Sequence, residues 1–514
     1  MVVLTASLSA QSYDFNSYKY RFQKVRGFRI YGNSNNNRIN TNNTKSETIV
    51  NSSRNFVGNE SDPDFNFGIN GGLNYFHNIN TENLQQNLSV NSDIGAYISN
   101  DNVHRNSQFT GLNSVSNSVK NQNRSFGNDI YLDFNNRFYK PNNRFLMFNA
   151  DINFDFGSNS FKSRERNNEL NTQSRLNNQT NSNNRFEFGF GKGRLEYVTD
   201  PIMAVFLLKD LMEKANVKNL NNEQIENIAK GITKIINTRF IDFRFRLIDQ
   251  IEMLDQVLRE NGVETDKSSK YYTTLNDNWL YATEFQRFSG KRWTYYLQNT
   301  TNFALSREKS TFLSAFSNTS NYFERAQRYN GTNMDNSIFI DYDKSFQKSL
   351  KVQKTKGFSA SVGHFSRFDN RIFEDSIKTS QYKKTEEKYE SQTIDFNVQG
   401  KWGYLYQPNT RTFLTFEVNS GIRIEKYINE KTDGQSLERD KLNQNYYVNT
   451  TLTYFKFINA RLNFQVGVST FTNFNNNLIT YYADKPINSL KVNDKNFAIR
   501  NNIRFSMGVN YFLY

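Results

Sequence analysis

An all-β chain interrupted once by helices is what this sequence predicts, and three observations carry the prediction. Apolar and polar residues alternate with period 2 along many segments of about ten residues. The period changes to 3.6 in one region, residues 199–262. Proline, which cannot donate to a sheet interior, occurs 5 times in 514 residues. Composition agrees: a mean hydropathy of -0.77 with 36% hydrophobic residues excludes a helical membrane protein, and 46 Phe with 29 Tyr excludes a disordered chain. The longest apolar run, 202–208, is far shorter than the roughly 20 residues of a membrane-spanning helix. A bilayer crossed by this chain is therefore crossed by strands. With no cysteine, the chain has neither a disulfide framework nor a thiolate metal site.

Residues 1–10 read as the remnant of a secretory signal, with Ala6, Ser7, Ser9 and Ala10 preceding a cleavage point before Gln11. A basic n-region is missing, and Leu8 is larger than the small residue preferred three places before the cut. The first block of strands covers 11–198. Phe65, Phe67, Ile69, Leu73 and Tyr75 alternate with polar neighbours, as do Leu88, Val90, Ile94, Ala96 and Ile98. The clearest case sets Phe148, Ala150, Ile152, Phe154 and Phe156 against Asn149, Asp151, Asn153 and Asp155. The glycine run Gly189, Gly191 and Gly193 resembles a phosphate loop only superficially, since it ends a strand; it lets that strand bend into the helical segment.

Three amphipathic helices are predicted for 199–262. Asp200 is a candidate N-cap with Pro201 at the first helical position, Asn221 caps the second helix, and Gly262 ends the third. Their stripes (Ala204, Leu207 and Leu211; Ile225, Ile228 and Ile232; Leu247, Ile251, Leu254 and Leu258) can bury one another. The segment is expected to cap or plug one end of the sheet or to dock a partner. Phe240, Arg244 and Arg246 are the candidate contacts, although Asp242, Asp249 and Glu252 interleave with the arginines and account for them by intrahelical pairing.

Strands resume over 263–514. Leu414, Phe416, Val418, Ile422 and Ile424 repeat the alternation, and a weaker strand is expected near 311–318. Short links fall near 140–143, 407–410 and 458–459, whereas long Asn/Ser-rich links are expected at 33–63, 101–124, 158–184, 369–390, 427–443 and 475–495. Finally, Ile503, Phe505, Met507, Val509, Tyr511 and Leu513 occupy every second position before the chain ends on Tyr514.

An amphipathic last strand with a terminal aromatic residue resembles the bacterial outer-membrane β-barrels, whose closing strand carries the signal read by the outer-membrane insertion machinery. Here the apolar face ends at Leu513, one place before Tyr514. The resemblance implies that Tyr511, Leu513 and Tyr514 form that signal. It also implies a closed antiparallel transmembrane β-barrel, of about 16 strands (14–18) by the segment count. Both termini and the helical insert, between the sixth and seventh strands, would lie in the periplasm. A soluble β-sandwich or solenoid is the alternative, but sandwich strands run about 5–6 residues, half the length read here.

For such a barrel the polar face defines function. Asp129 and Asp133 on one strand and Asp151 and Asp155 on the next are expected to line the lumen, where they either attract cations or form a solvated wall paired with Arg137 or other cations. Glu417, Arg423 and Glu425 add mixed charge on a later strand. Net charge +14 suits lipid and lipopolysaccharide phosphates as neighbours, and no helix-turn-helix, finger or stacking signature supports nucleic acid. The three histidines, His77, His104 and His364, lack a nucleophile elbow or a metal-binding helix, so neither catalysis nor a cofactor nor a metal is expected. Two expectations remain: a porin-like channel for diffusion or uptake of small solutes, or a non-conducting structural, secretion or envelope-assembly component whose helices bind a periplasmic protein.

Overall fold

The computed structural model describes residues 13–511 apart from 22, 49–54, 109–114, 167–169, 216, 219, 238–242, 265–266, 283–285, 317–318, 378–380, 433–438, 459–461 and 482–491. Six strands come first: β1 (Gln23–Thr48), β2 (Asn55–Asn80), β3 (Leu84–Gln108), β4 (Val115–Lys140), β5 (Arg144–Arg166) and β6 (Leu170–Tyr197). Four helices follow, α1 (Thr199–Ala215), α2 (Asn222–Asn237), α3 (Phe243–Glu260) and α4 (Ser269–Ala282). The chain then returns to strands with β7 (Phe288–Phe316), β8 (Thr319–Ser349), β9 (Val352–Ile377) and β10 (Gln381–Asn409). It finishes with β11 (Thr412–Thr432), β12 (Arg439–Phe457), β13 (Leu462–Tyr481) and β14 (Val492–Tyr511). Every strand pairs antiparallel with the next in one 14-stranded sheet, and among the described residues no ladder joins β14 back to β1.

Among the described residues fourteen strands are present, the lowest number in the expected range of 14–18 around 16. One reason is that the segment 311–318, read as its own strand, begins inside β7. The Asn/Ser-rich stretches read as loops are also largely paired strand: β1 and β2 stay in register from Gln23 opposite Asn80 out to Thr48 opposite Asn55. Polar residues at successive positions do not prevent pairing, because the ladder uses main-chain groups alone. Cross-strand ion pairs hold these extensions together. Arg175 meets Glu308 at 2.7 Å, Lys309 meets Glu324 at 2.6 Å and Arg325 meets Asp375 at 2.8 Å, linking β6 through β9.

The sheet curls. Arg194 of β6 donates to Asn80 Oδ1 of β2 at 2.6 Å, and Gln85 Nε2 of β3 donates to the Leu195 carbonyl of β6 at 3.2 Å. In a flat sheet β2 and β6 would stand about 19 Å apart, four spacings of about 4.8 Å. The face on which Gln85 and the acidic residues of β4 and β5 lie is therefore concave. Apolar side chains occupy the convex face in register: Phe148, Phe188, Leu297, Ile338, Val362, Phe396 and Ile424 stand directly opposite one another across β5 to β11. They are not packed away, since Phe188, Leu297 and Ile338 are 62%, 59% and 61% exposed.

The main buried core lies instead in the helical unit, where Leu207, Leu211, Ile228, Ile232, Leu254 and Leu258 are fully buried. Tyr13, Phe15 and Tyr18 of the N-terminal segment join that core. Asn221 and Gly262 behave as read, whereas α1 begins at Thr199, so Asp200 lies inside its first turn instead of capping it, and its carboxyl accepts from Thr233 of α2. Asn221 and Gln224 exchange reciprocal side-chain bonds of 2.9 Å, a capping box. Gly262 adopts φ 82°, donating to Arg259 at 3.0 Å while Val263 donates to Leu258 at 3.0 Å, which closes α3 as a Schellman motif. The helical region extends beyond the expected boundary at Gly262, because α4 is a fourth helix. Its Tyr, Thr, Asn and Trp residues are middling helix formers, and burial of Tyr271, Leu275 and Trp279 supplies what propensity does not. The helices sit between the sixth and seventh strands, at the end of the sheet where the connections are short.

Candidate functional site

The concave face gathers the acidic residues read from the sequence. Asp129 stands opposite Asp155, and Asp133 opposite Asp151, across β4 and β5. The register adds a residue that the sequence reading missed: Asp93 of β3 faces Asp129, so Asp93, Asp129 and Asp155 form one row over three strands. Like charges directly opposite repel, so such a row depends on water or cations. The cation that meets the second pair is Arg185 of β6, not Arg137. It hydrogen-bonds Asp151 and lies 3.5 Å from Glu187, which is itself held by Asn149 Nδ2 at 2.7 Å. Asn135 donates to Asp133, and Asn181 donates to Asp155 at 3.3 Å.

The mixed-charge group on β11 is paired internally. Arg423 Nε lies 3.0 Å from both Asp395 Oδ2 of β10 and Glu425 Oε1, and Asn443 donates to Glu425 at 2.9 Å. Glu417 is separate from it. It lines a cavity of about 360 Å³ with Lys401, Asp343 and Lys344, reached by residues from β6 to β11.

Toward the short-turn end the concave face turns aromatic and basic. Tyr139, Phe145 and Met147 are buried there against Tyr296, and Tyr296 stacks on Phe339 with ring centres 4.8 Å apart. The glycine run makes room for these rings. A Cβ on Gly189 would lie 2.5 Å from the Cβ of Tyr296, and one on Gly191 would lie 2.3 Å from Cζ of Phe145. Only Gly193, with φ 98°, has a backbone that itself demands glycine. Arg194 stacks over Tyr139 at 4.3 Å, and Arg137 and Arg292 lie nearby.

The helical unit is tied to this end by several contacts. Arg287, 1% exposed, donates to Gln407, Gln347 and the Leu350 carbonyl. Arg411 in the β10–β11 turn pairs with Asp277 of α4 at 2.7 Å, and Tyr281 packs on Phe457 at 4.9 Å. Asn16 donates to the Gln347 carbonyl at 3.2 Å and accepts from Ser289 Oγ at 2.6 Å, so the N-terminal segment is clamped between helices and sheet.

Of the residues proposed to plug or dock, Phe240 lies outside the described residues, and Arg244 and Arg246 fall within α3 with their side chains outside them. Leu513, Tyr514 and residues 1–10 also lie outside the described residues, while Tyr511 ends β14 opposite Leu462. On β14, Ile503, Phe505, Met507 and Val509 are 59–74% exposed on the expected face. No protein-family model matches the chain, and no curated protein matches it either.

Proposed function

We propose that this chain is an outer-membrane β-barrel of 14 strands, closed by β14 on β1, and that it serves as a porin-like channel for diffusion or uptake of small solutes. One observation supports this reading above the rest: a register-matched belt of exposed Phe, Leu, Ile and Val around the convex face, backed by charge and amide on the concave face. In water such a belt would be an aggregation surface, and in a bilayer it is the lipid contact. Fourteen strands fall between the eight-stranded barrels that side chains fill and the 16–18-stranded porins that enclose water. The acidic rows and Arg185 then line the lumen. The long polar hairpins face outward toward lipopolysaccharide, and the helical unit lies in the periplasm with the N-terminus. The closing strand, with Tyr511, Leu513 and Tyr514, carries the signal for the insertion machinery.

A second reading rests on the Arg287 anchor, which fixes the helices to the rim and makes them a platform for a periplasmic protein or a cover over the pore. Reconstitution in a planar bilayer tests the first reading: ion-conducting steps from refolded full-length chain uphold it. Absence of steps from both the full chain and one lacking 199–282, with folding verified, transfers the function to the second.

A further inference from the structure

Arg137 sits near the short-turn end of β4, on the concave side, with a fully buried Nε that has no hydrogen-bond partner. No ion pair joins its guanidinium to another described residue; the charged group that weighs most on it is a second guanidinium, Arg292 of β7. Arg292 gives Nη2 to Asp343 at 2.8 Å, and its own Nε is likewise buried and unpartnered. Asp343 is the carboxylate paired with Arg292, and Glu187 acts on Arg137 without an ion pair, so both buried Nε groups still lack an acceptor, which is costly unless one is supplied.

Both arginines line one pocket of about 280 Å³. Its remaining wall includes the amides Asn80, Gln85 and Asn135, and the ring of Tyr197, which lies 4.8 Å from Phe288. Gly193 stands opposite Arg292 in the ladder, where a Cβ would lie 2.1 Å from the Lys291 carbonyl oxygen, so glycine here permits the close approach of β6 and β7. The acidic pair Asp133 and Asp151 is four residues further along the strand, about 13 Å away at about 3.3 Å per residue. The positive and negative zones are thus separated in height.

We infer that Arg137 and Arg292 form an oxyanion site for a small organic solute with a carboxylate or phosphate on an apolar or aromatic body. The guanidinium forks bind the oxygens, Asn80 and Asn135 complete their hydrogen bonds, and the ring pair takes the body. This rests on the channel reading for its biological sense, since it names the class of solute passing the short-turn end, but the binding itself does not depend on conduction.

The test is equilibrium binding to the full chain refolded in detergent, by calorimetry, with benzoate, phenyl phosphate and inorganic phosphate as probes and benzyl alcohol as the uncharged control. Saturable binding of benzoate or phenyl phosphate, weakened about tenfold or more in R137Q and less in R137K, is expected from loss of charged hydrogen bonds. Benzyl alcohol should not bind. Preference between the first two probes identifies carboxylate or phosphate as the group recognised, and inorganic phosphate alone should bind more weakly than phenyl phosphate. Unchanged affinity in R137Q, with the same heat-modifiable gel migration as the parent, overturns the site, as does failure of all three anions to bind. Conductance without anion binding would sink the site and leave the channel standing; binding without conductance would do the reverse.

Discussion

Arg287 gives both Nε and Nη2 to the side-chain oxygen of Gln407, at 3.1 and 2.6 Å, across 120 residues of sequence. The same guanidinium reaches Gln347 at 3.2 Å and the Leu350 carbonyl at 2.8 Å, so one buried side chain fastens the exit from the helical unit to two turns of the sheet. Replacing Arg287 with Met strands these acceptors, at a cost of about 1–3 kcal/mol. Hydrogen exchange should accelerate across 199–282 and stay unchanged in the central strands. Equal protection of the helices in the variant and the parent would show that the anchor does not hold them.

Asp200 gives the helical unit a pH dependence. Burial pushes its carboxyl up from 3.8 to about 6, while the Thr233 hydroxyl donates to it. Between those two values the folded form binds more proton than the unfolded form, so stability is greatest at the acidic end and falls as pH rises from about 4 to about 6. The loss is on the order of 1–3 kcal/mol. Asp200→Asn, which still accepts from Thr233, should remove the slope. Limited proteolysis of the helical region at pH 4 and pH 7 reads this out, and an identical slope in the variant would assign it to another group.

Gly231 marks the close approach of α2 and α3. A Cβ there would lie 2.5 Å from Cγ1 of Val257, a stiff β-branched side chain. Gly231→Ala should therefore destabilise the helical unit by about 1–3 kcal/mol, even though alanine is the better helix former by about 1 kcal/mol. Gly157→Ala in β5, where a Cβ would meet nothing within 4 Å, is the control and should change stability little. Urea denaturation of the two variants separates them, and a stabilised Gly231→Ala would refute tight packing at this contact.

Replacing Asp133 and Asp151 together with Asn should lower the cation preference of the pore, because it removes one facing acidic pair and leaves Arg185 less compensated. Arg185→Gln should shift the preference the opposite way. Reversal potentials in a salt gradient measure both, and two unchanged values would take the acidic rows out of the conducting path.

Strand identity was legible in the sequence wherever one face was apolar, as in Phe148 to Phe156, because alternation reports two different environments. It failed in the polar hairpins, where successive residues are polar: the pairing of Asn43 with Glu60 or Arg175 with Ser310 leaves no periodic trace. Parity puts the acids of β4, and those of β5, on one face of each strand, yet their facing one another and the addition of Asp93 and Arg185 come only through register, which no single strand specifies. Arg287 was invisible for a related reason, and Arg137, read only as a candidate partner of the acids, was misassigned for the same one. Each takes its meaning from residues on strands far off in sequence, whereas the caps Asn221 and Gly262 act within their own turns and were readable directly.

The most direct test of the channel is single-channel recording of the refolded full chain in a planar bilayer, beside a chain in which 199–282 is replaced by a short turn. Discrete, steady conductance steps from the full chain, with equal or larger steps after the replacement, are the expected result. Silence from both, with heat-modifiable migration confirming a folded barrel, would contradict it and leave the helical unit as the working part of the molecule.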